Sequence, residues 1–208
     1  MVWLKRIAIT LAALALLLLG GGFLLPSSAH VERSIVINVP QDQVFTVINS
    51  FERFNDWSPW AELDPNTRYE FAGPVTGVGA KLSWASDDAS VGAGSQEIIE
   101  STPPTLVRNK LVFAGQGDAV TFMRLEALEA GTQVIWGFDS EFGNDVVGRW
   151  FGFLMFDSML GADYEKGLRK LKTLLEQKSD TAPAEPSASP EPTAAPAQNP
   201  EPAAQATG

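Results

Sequence analysis

The sequence predicts an α+β domain in which a curved, seven-stranded antiparallel sheet wraps around one long C-terminal helix. Three observations lead to this fold class. One strand-like segment is followed directly by two helical segments, six segments with alternating apolar residues come next, and a helical pattern of 34 residues ends the folded region. Short alternating segments at hairpin spacing form an antiparallel meander. The apolar face of such a sheet must be covered, and the last segment carries the largest apolar stripe.

The first three elements lie within the first 30 residues of the predicted domain. A strand is predicted over residues 31–39, where VERSIVINV alternates and is rich in β-branched residues up to Pro40. Apolar residues then change to helical spacing over residues 41–51. A second short helix is expected to end at Pro59, because proline lacks the N–H that a continuing helix needs.

Six further strands and one helix complete the predicted domain. The strands are expected at residues 69–71, 81–85, 95–100, 106–113, 120–127 and 133–142, separated by turn residues. The last helix is expected over residues 144–177, where Gly148, Gly152, Gly161 and Gly167 can bend or interrupt it. Sheet and helix then enclose a space, which is a ligand cavity unless side chains fill it, with its mouth near the two short helices.

The N-terminal segment 1–30 has the features of a membrane anchor. Lys5 and Arg6 precede an uncharged run over residues 7–25, which as a helix measures about 28 Å, close to the thickness of the bilayer core. We expect an uncleaved transmembrane anchor, with the two cations in the cytoplasm and the domain on the outer side of the membrane. The alternative is a signal sequence cleaved near Ala29, since small residues follow Pro26.

The C-terminal segment 179–208 differs in composition from the domain over residues 31–178. It contains seven of the chain's 14 prolines and four acidic residues, and it lacks aromatic residues, leucine, isoleucine and valine. Such a segment cannot bury enough apolar surface to fold. We therefore expect a disordered, acidic Pro/Ala-rich tail that acts as a solvated spacer.

Charge and composition exclude several classes of function. The net charge is −10, so the surface is poorly suited to nucleic acid, and no nucleic-acid partner is expected. The chain has no cysteine, and its single histidine, His30, precedes the predicted domain. Disulfides, thiolate metal sites, cysteine nucleophiles, multi-histidine metal sites and a Ser-His-Asp triad are therefore ruled out. No glycine-rich segment matches a phosphate-binding loop, and we expect neither a metal nor a cofactor.

Four sequence segments carry a resemblance to a known family. They are VERSIVINVPQDQVF at residues 31–45, FNDWSPW at 54–60, GTQVIW at 131–136 and DYEKGLRKLKTLLE at 163–176. Together with the order of elements, they resemble the START-like (SRPBCC) superfamily, and specifically its polyketide cyclase/dehydrase-like branch. The resemblance covers nearly the whole domain and implies a helix-grip fold around an apolar cavity. Members of the superfamily include lipid carriers, hormone-binding proteins and ring-closing enzymes, so the resemblance does not specify the activity.

Asp157 is the candidate catalytic residue, because it is the only charged position on the apolar stripe of the last helix. The stripe comprises residues 146, 150, 153, 157, 160, 164, 168 and 171. A carboxylate that faces a dry cavity must be paired, hydrated or protonated. Asp157 is therefore a candidate general acid/base with a raised pKa, or a group that orients a polar ligand. The alternative is a rotated helix that places Asp157 at the sheet edge, paired with Arg108, Arg124 or Arg149.

The candidate ligand-binding residues are aromatic side chains, one methionine and one arginine. They are Trp57, Trp60, Trp84, Arg108, Phe122, Met123, Trp136, Phe138, Trp150, Phe153 and Phe156. Large apolar side chains can form a cavity wall, and alternation predicts that Val134, Trp136 and Phe138 share the inward face. Arg108 would hold a ligand carboxylate if it pointed inward, and on the solvated face it would pair with an acidic neighbour.

Three functions are compatible with these observations. The leading hypothesis is a membrane-tethered module that binds a hydrophobic or amphipathic small molecule, such as a lipid or isoprenoid-like compound, between sheet and helix. The second is a cyclase/dehydratase-type enzyme with Asp157 as general acid/base, for which the residues offer no histidine, cysteine or carboxylate dyad. The third is a cell-envelope scaffold whose cavity is filled by side chains.

Overall fold

A computed structural model describes residues 2–115 and 117–181, and it contains the predicted α+β fold. The elements are α1 (Val2–Leu24), β1 (Ser28–Ile37), α2 (Gln41–Ile48), α3 (Phe54–Trp57), β2 (Arg68–Ala72), β3 (Lys81–Ala85), β4 (Ala93–Thr102), β5 (Leu106–Phe113), β6 (Gly117–Leu128), β7 (Gly131–Glu141), α4 (Val146–Phe151), a π-helical segment (Gly152–Phe156) and α5 (Asp157–Thr181). The segment 179–208, for which we predict a spacer role, lies almost wholly outside the described residues.

All seven strands form one antiparallel sheet in the order β1-β7-β6-β5-β4-β3-β2. The predicted bounds of β3 and β5 are confirmed, and the other predicted strands are present with ends shifted by a few residues. β1 begins at Ser28 and not at residue 31, because it pairs with β7 from Ser28 opposite Glu141 to Ile37 opposite Thr132. Its early start leaves only three residues between α1 and the sheet.

The two short helices are shorter than predicted. α2 ends at Ile48, and Phe51 is buried just beyond it. α3 is a single turn that ends at Trp57, two residues before Pro59. Val44, Phe45 and Ile48 point into the core, as their helical spacing predicts.

The long C-terminal helix is interrupted, as its glycines allowed. A π-helical segment begins at Gly152 and separates α4 from α5. A π-helix takes more residues per turn than an α-helix, so it shifts the phase of the residues on either side of it. Gly152 packs on the ring of Phe142, where a Cβ atom would collide with that ring.

The core lies between the inner face of the sheet and α5. Tyr164, Leu168 and Leu171 of α5 are at most 1% exposed. Tyr164 stacks on Trp136 of β7, with ring centroids 3.9 Å apart and planes at 9°. The inward face predicted for Val134, Trp136 and Phe138 is confirmed, since all three belong to the core cluster that includes Tyr164, Leu168 and Leu171 of α5.

α1 projects from the domain and is almost entirely exposed. This 23-residue helix is long and apolar enough to cross a membrane. The same length and composition fit both a membrane anchor and a signal sequence.

Candidate functional site

A cavity of about 190 Å³ lies between the sheet, the α2–α3 segment and α5. A single water needs only about 10–15 Å³ on the same measure, so the cavity has room for an organic molecule. Its wall is formed by Ile48, Ser50, Phe51, Phe54, Asn55, Trp57, Ser58, Trp60, Tyr69, Leu82, Trp84, Ser90, Val91, Gln96, Asn109, Leu111, Phe113, Thr121, Met123, Trp136, Phe138, Leu160 and Tyr164.

Strand alternation places the cavity wall on one face of the sheet. In β5, Asn109, Leu111 and Phe113 point into the cavity, while the residues between them face outward. Thr121 and Met123 do the same in β6. The sheet therefore supplies a mostly apolar surface with polar side chains at separate positions.

Two buried polar atoms in the cavity wall have no hydrogen-bond partner among the described residues. They are Nε1 of Trp57, a donor, and the amide oxygen Oδ1 of Asn109, an acceptor. A buried polar group without a partner costs about 1–3 kcal/mol.

The cavity wall carries no charged side chain within residues 2–115 and 117–181. Its ionisable groups are the phenols of Tyr69 and Tyr164. Burial raises the pKa of Tyr164 well above its ordinary value, and the negative charge of Asp139 adds to the increase. Tyr164 is therefore neutral at physiological pH.

The segment at the cavity mouth is fastened to α5 by charged and polar contacts. Lys170 Nζ donates to the backbone oxygen of Ser58 at 3.1 Å and to Glu62 at 2.9 Å, and Lys166 Nζ donates to Glu62 at 3.1 Å. These hydrogen bonds hold the pKa of Glu62 below its ordinary value. Trp60 Nε1 also donates to Asp163, at 3.2 Å. α5, which closes the cavity, therefore also holds the segment at the cavity mouth in position.

Comparison with known families agrees with this architecture. The sequence profile of the family described as polyketide cyclase / dehydrase and lipid transport matches residues 28–176. The chain belongs to this family. The match begins at the first residue of β1 and ends within α5, so it covers the whole sheet and the helix across it.

Solved structures similar to this member of the polyketide cyclase/dehydrase and lipid transport family support the fold alone. A protein of unknown function from Staphylococcus aureus has a TM-score of 0.56 at 12% identity, covering 74% of this chain and 97% of that one. The di-domain ARO/CYC StfQ from the steffimycin biosynthetic pathway has a TM-score of 0.53 at 13% identity, covering 74% and 53%. A protein from Rhodobacter sphaeroides has a TM-score of 0.51 at 14% identity, covering 72% and 93%. A search of curated proteins found no match.

Six of the residues predicted to bind a ligand line the cavity of this family member. They are Trp57, Trp60, Trp84, Met123, Trp136 and Phe138. Trp57 and Trp60 lie at the mouth and both make edge contacts with Trp136, at centroid distances of 5.2 and 5.9 Å. Their contact with a ligand remains a prediction.

Arg108 and Phe122 lie outside the cavity because of strand parity. Arg108 follows the inward-facing Val107, and its guanidinium lies 3.9 Å from Glu100 on the outer face. Phe122 precedes the inward-facing Met123, and its ring covers Gly137 on the outer face. Adjacent strand residues point to opposite faces, so Phe122 and Met123 could not both line the cavity.

Trp150, Phe153 and Phe156 also do not line the cavity. Trp150 packs on α1, and Phe153 is 62% exposed. Phe156 comes nearest, because its ring packs behind Phe138 at a centroid distance of 5.1 Å. The π-helical segment moves the inward position from residue 153 to Gly152 and from residue 157 to Phe156.

Asp157 lies on the outside of the domain and does not line the cavity. Its side chain is 66% exposed and pairs with Arg33 of β1, with carboxylate–guanidinium distances of 3.0 and 3.1 Å. The hydrogen bonds from Arg33 lower the pKa of Asp157, the reverse of the expected direction. The sheet-edge alternative is therefore the observed one, with Arg33 as partner and not one of the three arginines expected. Arg33 Nε also lies 3.4 Å from Glu165 Oε1. Its guanidinium packs against Gly161, which lies between Asp157 and Glu165 in α5.

The polar residues of the cavity wall were missed by the sequence analysis. Asn109 is the most informative, because it shares its strand face with Val107, Leu111 and Phe113. An amide in an otherwise apolar series at alternate positions is a detectable signal within the correctly predicted strand β5. Gln96 of β4 and Thr121 of β6 are also buried polar residues of the wall.

Proposed function

We propose that this protein is a membrane-tethered binding module for a hydrophobic or amphipathic small molecule, held in the cavity between the sheet and α5. The observation that carries the proposal is the cavity itself, about 190 Å³ of space within a largely aromatic wall that also contains two unpartnered polar atoms. Cavities of this kind favour apolar ligands and use a few polar groups to orient them.

The wall suggests the chemical class of the ligand. Trp57 carries an unpartnered donor and Asn109 an unpartnered acceptor, and a neutral polar group such as a hydroxyl can pair with either kind of atom once that side chain turns toward the cavity. The rings of Trp84, Phe113 and Trp136 would contact an apolar body. A charged group inside the cavity would lose its hydration without a counter-ion, so lipid-like or isoprenoid-like molecules with an uncharged head are favoured.

The tether is supported by the connection between α1 and the sheet. β1 is paired with β7 from Ser28 onward, so cleavage near Ala29 would remove residues that belong to the sheet. Lys5 and Arg6 at the other end of α1 favour a cytoplasmic N-terminus, which places the domain on the outer side of the membrane.

The two alternative functions receive less support from the geometry. Asp157 is exposed and paired with Arg33, so it is poorly placed to act as a general acid/base on a molecule in the cavity. A scaffold with a filled core would leave no space of the observed size between sheet and helix.

Native mass spectrometry with organic extraction, on the full chain purified gently from its own membrane, tests the proposal. We expect a co-purifying apolar molecule in roughly stoichiometric amount. A protein that carries nothing, and whose thermal unfolding is unchanged by added long-chain alcohols and isoprenoid alcohols, would contradict it.

Substitution of the two polar atoms then tests the site. Asn109→Leu and Trp57→Phe should each reduce the amount of co-purifying molecule several-fold, by removing an orienting hydrogen bond of about 1 kcal/mol. Asn144→Leu, at an exposed position after β7, is the matched control and should change nothing. Equal occupancy in all three variants would show that these atoms do not hold the ligand.

A further inference from the structure

The segment between β7 and the start of α5 exposes six large apolar side chains, which we call the apolar ridge. It consists of Val147, Phe151, Phe153, Leu154, Met155 and Met159, exposed by 77, 42, 62, 63, 50 and 53%. Exposed apolar patches of this kind mark sites of contact with a partner or a membrane. We propose that the apolar ridge is immersed in the outer leaflet of the bilayer that α1 crosses, as a second membrane contact of the domain. This inference rests on the proposed membrane tether.

The depth of the ridge follows from how α4 packs on α1. Trp150 Nε1 donates to the backbone oxygen of Leu18 at 2.9 Å. Gly22 allows this approach, because a Cβ atom there would collide with Val146 and Trp150. Leu18 lies six residues before the end of α1, which is about 9 Å along the helix axis. An α1 that spans the bilayer therefore carries α4 down to the edge of the hydrocarbon region.

Five of the six ridge residues lie toward one side of the segment, and Phe153 is exposed on another side. Val147, Phe151, Met155 and Met159 follow each other at intervals of four. In a regular α-helix, steps of four rotate gradually around the axis, and the larger turn of the π-helical segment offsets part of that rotation. Trp150 and Phe156 flank these residues and pack on protein, Trp150 on α1 and Phe156 on Phe138.

One cation beside the ridge matches this placement, while the exposed carboxylate of Asp157, between Met155 and Met159, is paired with Arg33 at 3.0 Å. Arg149 donates to the backbone oxygens of Phe23 and Leu25 at 3.2 and 3.3 Å, so its cation lies at the C-terminal end of α1. Cations at this level of a membrane helix occupy the headgroup region. The ridge residues themselves are uncharged, and the predicted domain is acidic. Apolar burial, and not attraction to anionic lipid, is therefore the expected source of the contact.

Site-directed labelling tests the immersion, and the natural absence of cysteine makes the full chain suitable. Single-cysteine variants Leu154→Cys on the ridge, Leu14→Cys in α1 and Leu128→Cys at the distal β6–β7 turn would carry an environment-sensitive NBD fluorophore. Leu128 is a matched control, being an exposed leucine at the end of the sheet away from Ser28 and α1. The labelled proteins are reconstituted into phosphatidylcholine vesicles that contain lipids with a nitroxide on the acyl chain.

The expected result is that labels at positions 14 and 154 lose most of their emission to the nitroxide lipids, while the label at 128 keeps it. Quenching at 14 without quenching at 154 would overturn the ridge contact and leave the tether intact. A label at 154 with blue-shifted emission that lipid does not quench would show coverage by a second copy or another protein, which also overturns it. No quenching at 14 would overturn the tether and the inference together.

Discussion

The C-terminal helical region has two halves that share an apolar pattern and differ in what they contact. Between Tyr164 and Leu175, four apolar side chains of α5 lie in the core and are at most 4% exposed: Tyr164, Leu168, Leu171 and Leu175. From Val147 to Met159, large apolar side chains face outward. The comparison teaches that apolar periodicity identifies a helix face without identifying its partner. In the first half the partner is the sheet, and in the second we propose that it is lipid.

The largest contrast is expected from truncating one leucine in each half. Leu171→Ala, at a fully buried site, should lower the free energy of unfolding by about 2–5 kcal/mol, because it leaves a cavity in the core. Leu154→Ala, at a site 63% exposed, should change it by less than about 0.5 kcal/mol. Guanidinium denaturation of the full chain in detergent measures both. Similar losses for the two variants would show that the halves do not differ in this way.

A smaller effect is expected at Gly167, where α5 lies close to the cavity wall. A Cβ atom on Gly167 would lie 2.7 Å from the Trp136 ring and 3.1 Å from Pro59. Gly167→Ala should therefore destabilise the fold by about 1–3 kcal/mol through overpacking, reduced by about 1 kcal/mol of improved helix propensity. Gly20→Ala, with open space around the site, is the control for propensity alone. A Gly167→Ala protein as stable as the control would disprove the close approach.

The ion pair at the junction of the two halves should contribute less. Asp157→Asn is expected to cost about 1 kcal/mol or less at pH 7, because the carboxylate is mostly solvent-exposed. The pKa of Asp157 is lowered in the folded protein, so its contribution is present above the unfolded value and disappears as the pH falls through the folded value. Unfolding curves of the two proteins at pH 7 and in acid should therefore converge in acid. A difference that grows in acid would contradict the pairing.

The smallest change in stability is expected at the cavity mouth, where amide hydrogen exchange is the measurement. Glu62→Gln removes the acceptor charge shared by Lys166 and Lys170, and should speed amide hydrogen exchange in the segment between α3 and β2. The lowered pKa of Glu62 predicts that acid has the same effect on the original protein. Glu129→Gln, in the β6–β7 turn, is the control. Unchanged exchange at the mouth would show that these lysines do not hold it in place.

The strands and their order along the chain could be predicted because their signals are local, whereas the pairing of β1 with β7 is a non-local contact that the sequence analysis did not predict. Leu106–Phe113 was predicted correctly at both ends, since turn residues bound an alternating segment on each side. The position of Asp157 could not be predicted in the same way. An α-helical period was assumed through a segment that contains a π-helical turn. That turn depends on the packing of Gly152 against Phe142, a tertiary contact.

The sequence analysis identified several aromatic residues of the site and missed its polar residues. Trp57 and Trp136 were found because large rings flank predicted cavity-forming elements. Asn109 was missed although its strand was correct, and Arg33 was missed although alternation in β1 places it on the same face as Val31, Ile35 and Ile37. In both cases the polar exception on an apolar strand face was the useful signal.

The three-residue connection between α1 and β1 limits how far the domain can travel. Three extended residues reach about 10 Å, far less than the long linkers that allow a tethered domain to search a volume of solution. With α1 in the bilayer, the cavity moves by lateral diffusion and stays next to the membrane surface. Cargo would therefore be exchanged with molecules in the same membrane or with carriers that come to it, and transport across an aqueous gap would require a separate, soluble partner.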